Sequence, residues 1–186
     1  MVASKNPDKI TEVERILDEV GLAGEIVRGL EWPDVDETSD TLEGNALLKA
    51  EAVAAATGLP ALADDTGLEV DALGGAPGVW TARYAGPDAS YEDNVEKMLA
   101  EMADREDRSA RFRTAVALVD PERGRRWTAH GSVEGRITTG RRGSGGFGYD
   151  PIFEVDGRTL AEMGPEAKGA ISHRARAVRA LAELLA

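Results

Sequence analysis

Hydrophobic residues recur at helical spacing in several segments of the chain. In the first segment the apolar positions are Ile10, Val13, Ile16, Leu17 and Val20. Asn6 and Pro7 before them favour a helix start, and Gly21 favours its end. The same kind of pattern predicts an Ala-rich helix over 42–57, a helix over 90–103 and an amphipathic helix over 172–185.

Shorter apolar runs bounded by turn residues predict strands. They cover residues 25–30, the two flanks of Asp64 and Asp65, and 152–155. A long hairpin is predicted where the β-rich segments 111–120 and 125–137 are joined by a turn at 121–124. Helices that alternate with strands, together with this hairpin, predict a single α/β domain over 1–186 with a mixed sheet.

The segment from Ala61 to Leu68 holds a prominent candidate for chemistry. An apolar run that predicts a buried strand ends in Asp64 and Asp65, and a Thr-Gly turn follows. Adjacent strand residues point to opposite faces, so the two carboxylates cannot face one ligand if the strand continues through them. We expect one to serve as a Mg²⁺ ligand or general base and the other to brace the turn. A solvated acidic turn is the alternative.

Composition limits the functions open to this chain. Its 186 residues include no Cys, which excludes disulfides and Cys-based zinc sites and is compatible with a reducing cytoplasm. The formal charge of −12 argues against a nucleic-acid partner, although a few Lys or Arg side chains can still bind a small phosphorylated ligand. No apolar run is long enough to span a membrane, and the first residues lack a signal-peptide pattern.

Two segments carry groups that suit phosphate binding. The turn from Ser4 to Lys9 precedes the first helix, where free N–H groups and the helix dipole attract anions; a well-capped surface helix is the alternative. Glu37, in an acidic loop before the second helix, could complete a metal site with Asp65. Lys49 lies on that second helix, and taken alone it fits an ordinary surface lysine better.

The glycine-rich segment 143–148 matches G-x-G-x-x-G but does not predict a dinucleotide site. That fingerprint opens a helix, whereas Asp150-Pro151 follows here, and a residue before proline avoids helical angles. With Phe147 inside it and Tyr149 after it, the loop better fits a platform on which a base stacks. A mobile hairpin tip is the alternative.

Cations stand at the start of the last predicted helix. Ser172 is a suitable N-cap, which places His173 and Arg174 in the first turn, where positive charge opposes the helix dipole by roughly a few tenths of a kcal/mol. Local misfits of this kind often mark functional sites, and an anionic ligand would relieve this one. Without ligand, we expect Arg174→Ala to leave stability unchanged or slightly raised.

Together these segments resemble the inosine triphosphate pyrophosphatase family, from Ser4 to the C-terminal helix. The motifs that carry the resemblance are SKNPDK at 4–9, EGNALLKA at 43–50 within 37–50, ADDTGL at 63–68, LGGAPG at 73–78 with ARYAG at 82–86, GFGYDP at 146–151, and Lys168 with ISHR at 171–174. Their common order makes the resemblance specific.

The resemblance implies an elongated α/β fold with a long mixed central β-sheet flanked by helices, and two lobes with an active-site cleft between them. It implies a cytoplasmic homodimer that uses Mg²⁺ to hydrolyse the purine nucleoside triphosphates dITP, ITP and XTP. The products would be the nucleoside monophosphate and pyrophosphate, so that the enzyme cleanses the nucleotide pool.

Site residues follow from the resemblance by position. Asp65 corresponds to the catalytic base, and Glu37 and Asp65 correspond to the metal ligands. Triphosphate contacts are implied for Ser4, Asn6, Lys9, Lys49 and Arg83. Contacts to the purine, and its link to the phosphates, are implied for Phe147, Asp150, Lys168, His173 and Arg174. The remaining substrate-binding positions are Lys5, Pro7, Asp8, Thr66, Gly148 and Tyr149.

Two other functions stay open beside this one. A pyrophosphatase of similar fold could remove modified pyrimidine triphosphates, although the Ser-His-Arg start of the last helix argues against it. A nucleotide-binding or sensing module could use the same pocket without turnover, although the presence of both Asp65 and Glu37 favours catalysis.

Overall fold

The computed structural model describes residues 1–22, 26–27 and 30–186. Over these residues the chain forms α-helices, β-strands and short 3₁₀ turns. The helices are α1 Pro7–Glu19, α2 Leu42–Thr57, α3 Tyr91–Glu101, α4 Pro165–Ile171 and α5 His173–Leu185. The strands are β1 Ala61–Val70, β2 Pro77–Gly78, β3 Ser109–Asp120, β4 Arg125–Ile137, β5 Phe153–Val155 and β6 Arg158–Thr159. None of the helices in this described part is long and apolar enough to cross a membrane.

The strands lie in a sheet of the order β2-β1-β3-β4-β5-β6. β1 pairs antiparallel with β2, and β5 pairs antiparallel with both β4 and β6. Val2 adds an isolated parallel bridge to Leu62. The prediction of a mixed α/β fold is therefore confirmed, and the predicted hairpin corresponds to β3 and β4, which are neighbours in the sheet.

The predicted helix boundaries agree closely with the structure because the capping chemistry is local. The Asn6 side chain accepts from the backbone N–H groups of Asp8 and Lys9 at the start of α1. Gly58 ends α2 in the left-handed conformation, and Ser90 forms a capping box with Asp93 at the start of α3.

Other local predictions need correction. β1 does not end in a turn at Asp64 and Asp65 but continues to Val70. The strand continues because Leu68 and Val70, which follow the acidic pair, are buried in a second core. The helix α4 was missed, since its seven residues are too few to show a clear period. The strand predicted over 25–30 lies partly outside the described residues, and its described members 26, 27 and 30 are not in a strand.

The chain forms two compact units. The first comprises Met1–Asp65, Thr114–Gly131 and His173–Ala186, and the second comprises Thr66–Arg113 and Ser132–Ser172. The predicted two-lobed organisation agrees with this division.

In the first unit both faces of the strands are covered by helices. Leu62 and Val116 belong to the cluster formed with α1 and α5. Ala61, Ala63 and Ala115 are one residue out of step and belong to the cluster formed with α2. The period of two in a strand thus sends alternate residues to opposite helices, and the near-continuous apolar runs of β1 and β3 reflect burial on both faces.

The second unit has one buried strand face. Leu68, Val70 and Phe112 pack in a core with residues of α3. The alternate positions carry charges, and Arg113 pairs with Glu69 at 3.2 Å on this solvated face. This unit therefore shows the apolar-polar alternation of a sheet with one side in water.

A close backbone approach brings α5 against β4 in the first unit. A Cβ atom on Gly131 would lie 2.2 Å from the carbonyl oxygen of His173 and 2.4 Å from the backbone nitrogen of Ala177. These are backbone atoms, so a side chain at position 131 would have to displace the helix that carries His173. Glycine is required here by the packing distance.

We expect Gly131→Ala to lower the free energy of unfolding by about 1–3 kcal/mol, the usual cost of overpacking. Urea denaturation followed by circular dichroism measures the change. Gly140→Ala is the matched control, because a Cβ atom there meets nothing within 4 Å; it should change stability by less than about 0.5 kcal/mol. Equal stability of the two variants would contradict the close approach of α5.

Candidate active site

The turn before α1 uses its own polar groups to hold its shape. Ser4 Oγ accepts from the N–H of Asn6 at 3.2 Å, and Asn6 Oδ1 accepts from the N–H of Asp8 at 3.0 Å. Lys5 forms an ion pair with Asp34. Part of the predicted anion site is therefore already engaged within the chain, and Pro7 takes the first helical position as predicted.

Lys49 joins the two carboxylates that the sequence placed in a metal site. Its Nζ lies 2.8 Å from Asp65 Oδ1 and 3.3 Å from Glu37 Oε1. Lys49 is only 15 % exposed, so it is not the plain surface lysine that its position on a helix would allow. Asn45, one helical turn earlier, donates to Asp65 Oδ2 at 3.5 Å and accepts from the N–H of Ser39 at 2.9 Å.

The two adjacent aspartates face opposite sides of β1. Asp64 Oδ2 lies 3.3 Å from Lys9 Nζ on α1 and 3.2 Å from Arg174 Nε on α5. Asp65 instead contacts Lys49 on α2. The expectation that adjacent residues of a continuous strand send the two carboxylates to opposite faces is confirmed, but Asp64 braces an ion network instead of a turn.

Burial and neighbouring charge act differently on the two carboxyl groups. Burial works against ionisation of Asp64, but Lys9, Arg174 and Lys49 outweigh it and hold its pKa well below the ordinary value. Burial raises the pKa of Asp65 above its ordinary value, and the attraction of Lys49 only partly opposes this. Asp64 is therefore a fixed anion, whereas Asp65 is the more basic of the two.

The same carboxylates also affect the pKa of Lys49. Burial disfavours its charge, but Asp65, Glu37 and Asp64 outweigh that effect, so the pKa of Lys49 is raised. The ammonium group stays protonated beside Asp65, and it is positioned to offset negative charge. One cation shared by two carboxylates also shows that these carboxylates converge on one point.

Asp65 and Glu37 have the carboxylate oxygens that a magnesium ion prefers as ligands. No group of three or more His, Asp or Glu side chains within the described ranges is arranged to hold a metal. Mg²⁺ commonly takes one or two protein carboxylates and completes its shell with phosphate oxygens and water. The convergence of both carboxylates on the Lys49 ammonium, at 2.8 and 3.3 Å, meets that requirement.

Arg174 is the centre of a buried ion network. Its guanidinium donates from Nε and Nη2 to Asp64 Oδ2, both at 3.2 Å, and from Nη1 to Glu12 Oε2 at 2.6 Å. The residue is 1 % exposed. Burial opposes its charge, but the two carboxylates outweigh that effect and raise its pKa. This geometry contradicts the expectation that Arg174 is a cation misplaced at a helix start, because two anions compensate it.

His173 precedes Arg174 and is also buried. Its Nδ1 lies 2.6 Å from the hydroxyl oxygen of Thr114 on β3. Ser172, the predicted N-cap, has extended backbone and separates α4 from α5. The side chains of His173 and Arg174, which the family resemblance assigns to the purine, are therefore both held by contacts within the first unit.

The second unit assembles its own cluster around Phe147. Asp150 Oδ2 accepts from the N–H of Phe147 and from Lys168 Nζ, each at 2.8 Å. Lys168 Nζ lies 4.6 Å from the centre of the Phe147 ring. Gly146 has φ +73°, and a Cβ atom there would lie 2.0 Å from Asp150 Oδ2. The glycine thus allows the loop to close on Asp150, and the half-buried Phe147 ring has a fixed position.

The other predicted site residues of the second unit mainly contact other groups of the protein. Tyr149 is buried and donates through its hydroxyl to the carbonyl of Thr81 at 2.9 Å. The Arg83 guanidinium stacks 4.5 Å from the ring centre of Trp80. Thr66 lies within β1, directly after Asp65, and Gly148 adopts φ +61° in the loop.

The sequence did not identify Glu12 or Thr114 as parts of this arrangement. Glu12 looked like a polar helix position and Thr114 like a strand residue, and neither stands near a motif. Asn45 offered a signal, because it shares a helix face with Lys49. Glu12 and Thr114 are recognised only through their contacts with residues far away in the sequence, and those contacts exist only in the folded chain.

We expect Arg174→Met to lower the free energy of unfolding by about 3–5 kcal/mol, because Asp64 and Glu12 would be left buried without their shared cation. Chemical denaturation measures the loss. Arg179→Met is the matched control on the same helix, since Arg179 pairs with Glu19 at 3.5 Å near the surface; it should cost less than about 1 kcal/mol. A small effect of Arg174→Met, equal to the control, would show that the network is not stabilising.

Known proteins share this arrangement of elements over the whole chain. Residues 1–184 match the model of the Ham1 family. The chain is 50 % identical over 190 residues to the dITP/XTP pyrophosphatase of Symbiobacterium thermophilum, with 100 % of this chain and 93 % of the relative aligned.

Solved structures agree with that match. A HAM1 protein from Coxiella burnetii is 41 % identical with a TM-score of 0.83, over 99 % of this chain and 96 % of the other. The nucleoside-triphosphatase / dITP/XTP pyrophosphatase of Mycobacterium abscessus is 44 % identical with a TM-score of 0.76, over 100 % of this chain and 98 % of the other. The resemblance carried by the sequence motifs is thereby confirmed, and the chain belongs to the Ham1 family.

Proposed function

We propose that this protein hydrolyses the non-standard purine nucleoside triphosphates dITP, ITP and XTP to the nucleoside monophosphate and pyrophosphate. The observation that carries the proposal is the convergence of Asp65 and Glu37 on Lys49, in a chain whose relatives are named dITP/XTP pyrophosphatases. Carboxylates and a cation in one cluster are the groups that triphosphate hydrolysis requires.

Asp65 acts as the general base. A carboxylate that accepts a proton from water must be within hydrogen-bond reach of that water and should not be too weak a base. Burial raises the pKa of Asp65, which improves its basicity, and Lys49 at 2.8 Å holds one carboxylate oxygen in place. The proton passes from water to Asp65, the water oxygen attacks phosphorus, and the bond to the bridging oxygen breaks to release pyrophosphate.

Cationic side chains offset the charge of the triphosphate. The substrate carries about four negative charges, which repel an attacking water unless positive groups compensate them. Lys49 and Lys9 are fixed near the acidic pair of β1, and the Ser4 and Asn6 turn adds polar groups at the start of α1. We assign these residues to the triphosphate, with Arg83 as a further contact.

Mg²⁺ is the cofactor in this proposal. Glu37 and Asp65 are the residues that would hold it. A bound Mg²⁺ would neutralise phosphate charge and orient the phosphate oxygens. The chain's own part is to supply two convergent carboxylates and to keep Lys49 protonated beside them.

Phe147 and His173 are the side chains that we assign to the purine. Phe147 presents an aromatic face for stacking, fixed by Asp150 and Lys168. His173 is the assigned donor to the 6-keto oxygen that distinguishes hypoxanthine and xanthine from adenine. A site that donates there leaves its donor unpaired against the 6-amino group of ATP, and such mismatches discriminate by up to about 10⁴-fold. We further propose a cytoplasmic homodimer as the working form, on the basis of the family resemblance.

We expect Asp65→Asn to lower kcat for dITP by at least about 10²-fold, because the variant keeps the side-chain shape but cannot take the proton. Pyrophosphate release under saturating dITP measures the loss. Glu51→Gln is the control, since Glu51 pairs with Arg126 on the surface. If Asp65→Asn kept more than half of the wild-type turnover, Asp65 would not be the base.

A panel of triphosphates tests the reaction itself. We expect dITP, ITP and XTP to give monophosphate and pyrophosphate in equal amounts, with EDTA abolishing the activity and added Mg²⁺ restoring it. The standard purine and pyrimidine triphosphates serve as comparison substrates in the same assay. Release of orthophosphate with the nucleoside diphosphate would refute the proposed bond cleavage, and binding without turnover would identify a sensing module.

A further inference from the structure

The contact between His173 and Thr114 affects which purine His173 can recognise. His173 Nδ1 and Thr114 Oγ1 are 2.6 Å apart, a short distance for a hydrogen bond. His173 is 4 % exposed and Thr114 is 1 % exposed, so water does not compete freely for this bond. Both side chains belong to the first unit, where Thr114 is fixed on β3.

The bond couples the protonation of the two ring nitrogens. A neutral imidazole carries one N–H, so one ring nitrogen donates and the other accepts. If the threonine hydroxyl donates to Nδ1, the ring proton must be on Nε2, and Nε2 is a donor. If Nδ1 carries the proton and donates to the hydroxyl, Nε2 becomes an acceptor. The partner of one nitrogen thus decides what the other can recognise.

We propose that Thr114 is a positioning residue for purine selection: its hydroxyl donates to Nδ1 of His173 and keeps the ring proton on Nε2. The proposal rests on the proposed function, in which His173 contacts the purine. Nε2 then offers a donor, which matches the 6-keto oxygen of hypoxanthine or xanthine. The opposite tautomer would offer an acceptor, which matches the 6-amino group of adenine. The threonine hydroxyl therefore disfavours binding of adenine nucleotides.

The local structure favours a fixed geometry for this pair. Threonine is branched at Cβ and has a stiff χ1 in a strand. On the helix side, the neighbouring Arg174 is held by Asp64 and Glu12, and Gly131 allows α5 to approach β4 through the backbone of His173 itself. Hydroxyl and imidazole are therefore both presented by backbone that is anchored independently of the bond between them.

The tautomer can be measured without substrate. We would label the histidine nitrogens with ¹⁵N in the full-length wild type, Thr114→Val and Thr114→Ser, and record long-range ¹H–¹⁵N spectra at neutral pH. The chain has two histidines, so in a His130→Gln background all histidine signals come from His173. The wild type and Thr114→Ser should show the Nε2–H pattern, and Thr114→Val should show a shift toward the Nδ1–H form. A merely structural role of Thr114 would not move this signal.

Selectivity provides the second measurement. The ratio of kcat/KM for dITP to that for dATP should fall by about fivefold in Thr114→Val, which is the scale of one neutral hydrogen bond. Thr114→Ser should restore the ratio to within about twofold because it returns the hydroxyl. Thr128→Val, a threonine on β4, is the matched control and should leave both the ratio and the His173 spectrum unchanged.

Several results would overturn the proposal. A wild-type His173 that carries its proton on Nδ1, or on both nitrogens, contradicts it directly, and this holds even if Thr114→Val fails to fold. An unchanged tautomer and ratio in a folded Thr114→Val contradict it as well. If the wild type does not prefer dITP over dATP, the proposed function and the selectivity claim fail together, while the spectra separately decide whether Thr114 sets the tautomer.

Discussion

Two adjacent buried carboxylates on β1 impose the constraint on which the first unit depends. A buried charge is costly unless a partner compensates it, and the period of two in a strand sends Asp64 and Asp65 to opposite faces. Each therefore needs its own cation. Arg174 and Lys9 compensate Asp64 from α5 and α1, and Lys49 compensates Asp65 from α2. Three helices are tied to one strand by this requirement.

The same alternation separates stability from chemistry within one dipeptide. Three cations hold the pKa of Asp64 low, so Asp64 is a permanent anion that anchors α5. Asp65 has fewer compensating charges, and burial raises its pKa. The anchored helix also carries His173, so the network that holds Asp64 places a side chain assigned to the purine. In a protein of net charge −12, three cations are thus concentrated against the acidic pair of β1.

In the second unit, contacts within one loop and with Lys168 hold the Phe147 ring in position. The loop that carries Phe147 closes on Asp150, and Lys168 bridges that carboxylate to the aromatic ring. Gly146 makes the closure possible because a side chain there would collide with Asp150. The aromatic face is therefore placed by a salt bridge and a turn, and it needs no contribution from a long strand.

The sequence by itself determined the features that rest on local chemistry. Helix caps at Asn6, Gly58 and Ser90, the 3.6-residue period and the long hairpin are properties of neighbouring residues, so they could be predicted. The motif order was specific enough to indicate the family. The rule that the two members of the acidic pair face opposite sides of a continuous strand also held.

Tertiary structure decided which partner each polar group received. The sequence predicted strands on both sides of the acidic pair, but β1 runs through the pair as one strand because residues distant in sequence build a core around Leu68 and Val70. Arg174 changed from an apparent misfit into a buried anchor because Glu12 lies 162 residues away in the chain yet accepts from it. Thr114 reaches His173 across 59 residues. Periodicity fixes the face on which a residue lies, but the identity of what lies opposite depends on how the whole chain packs.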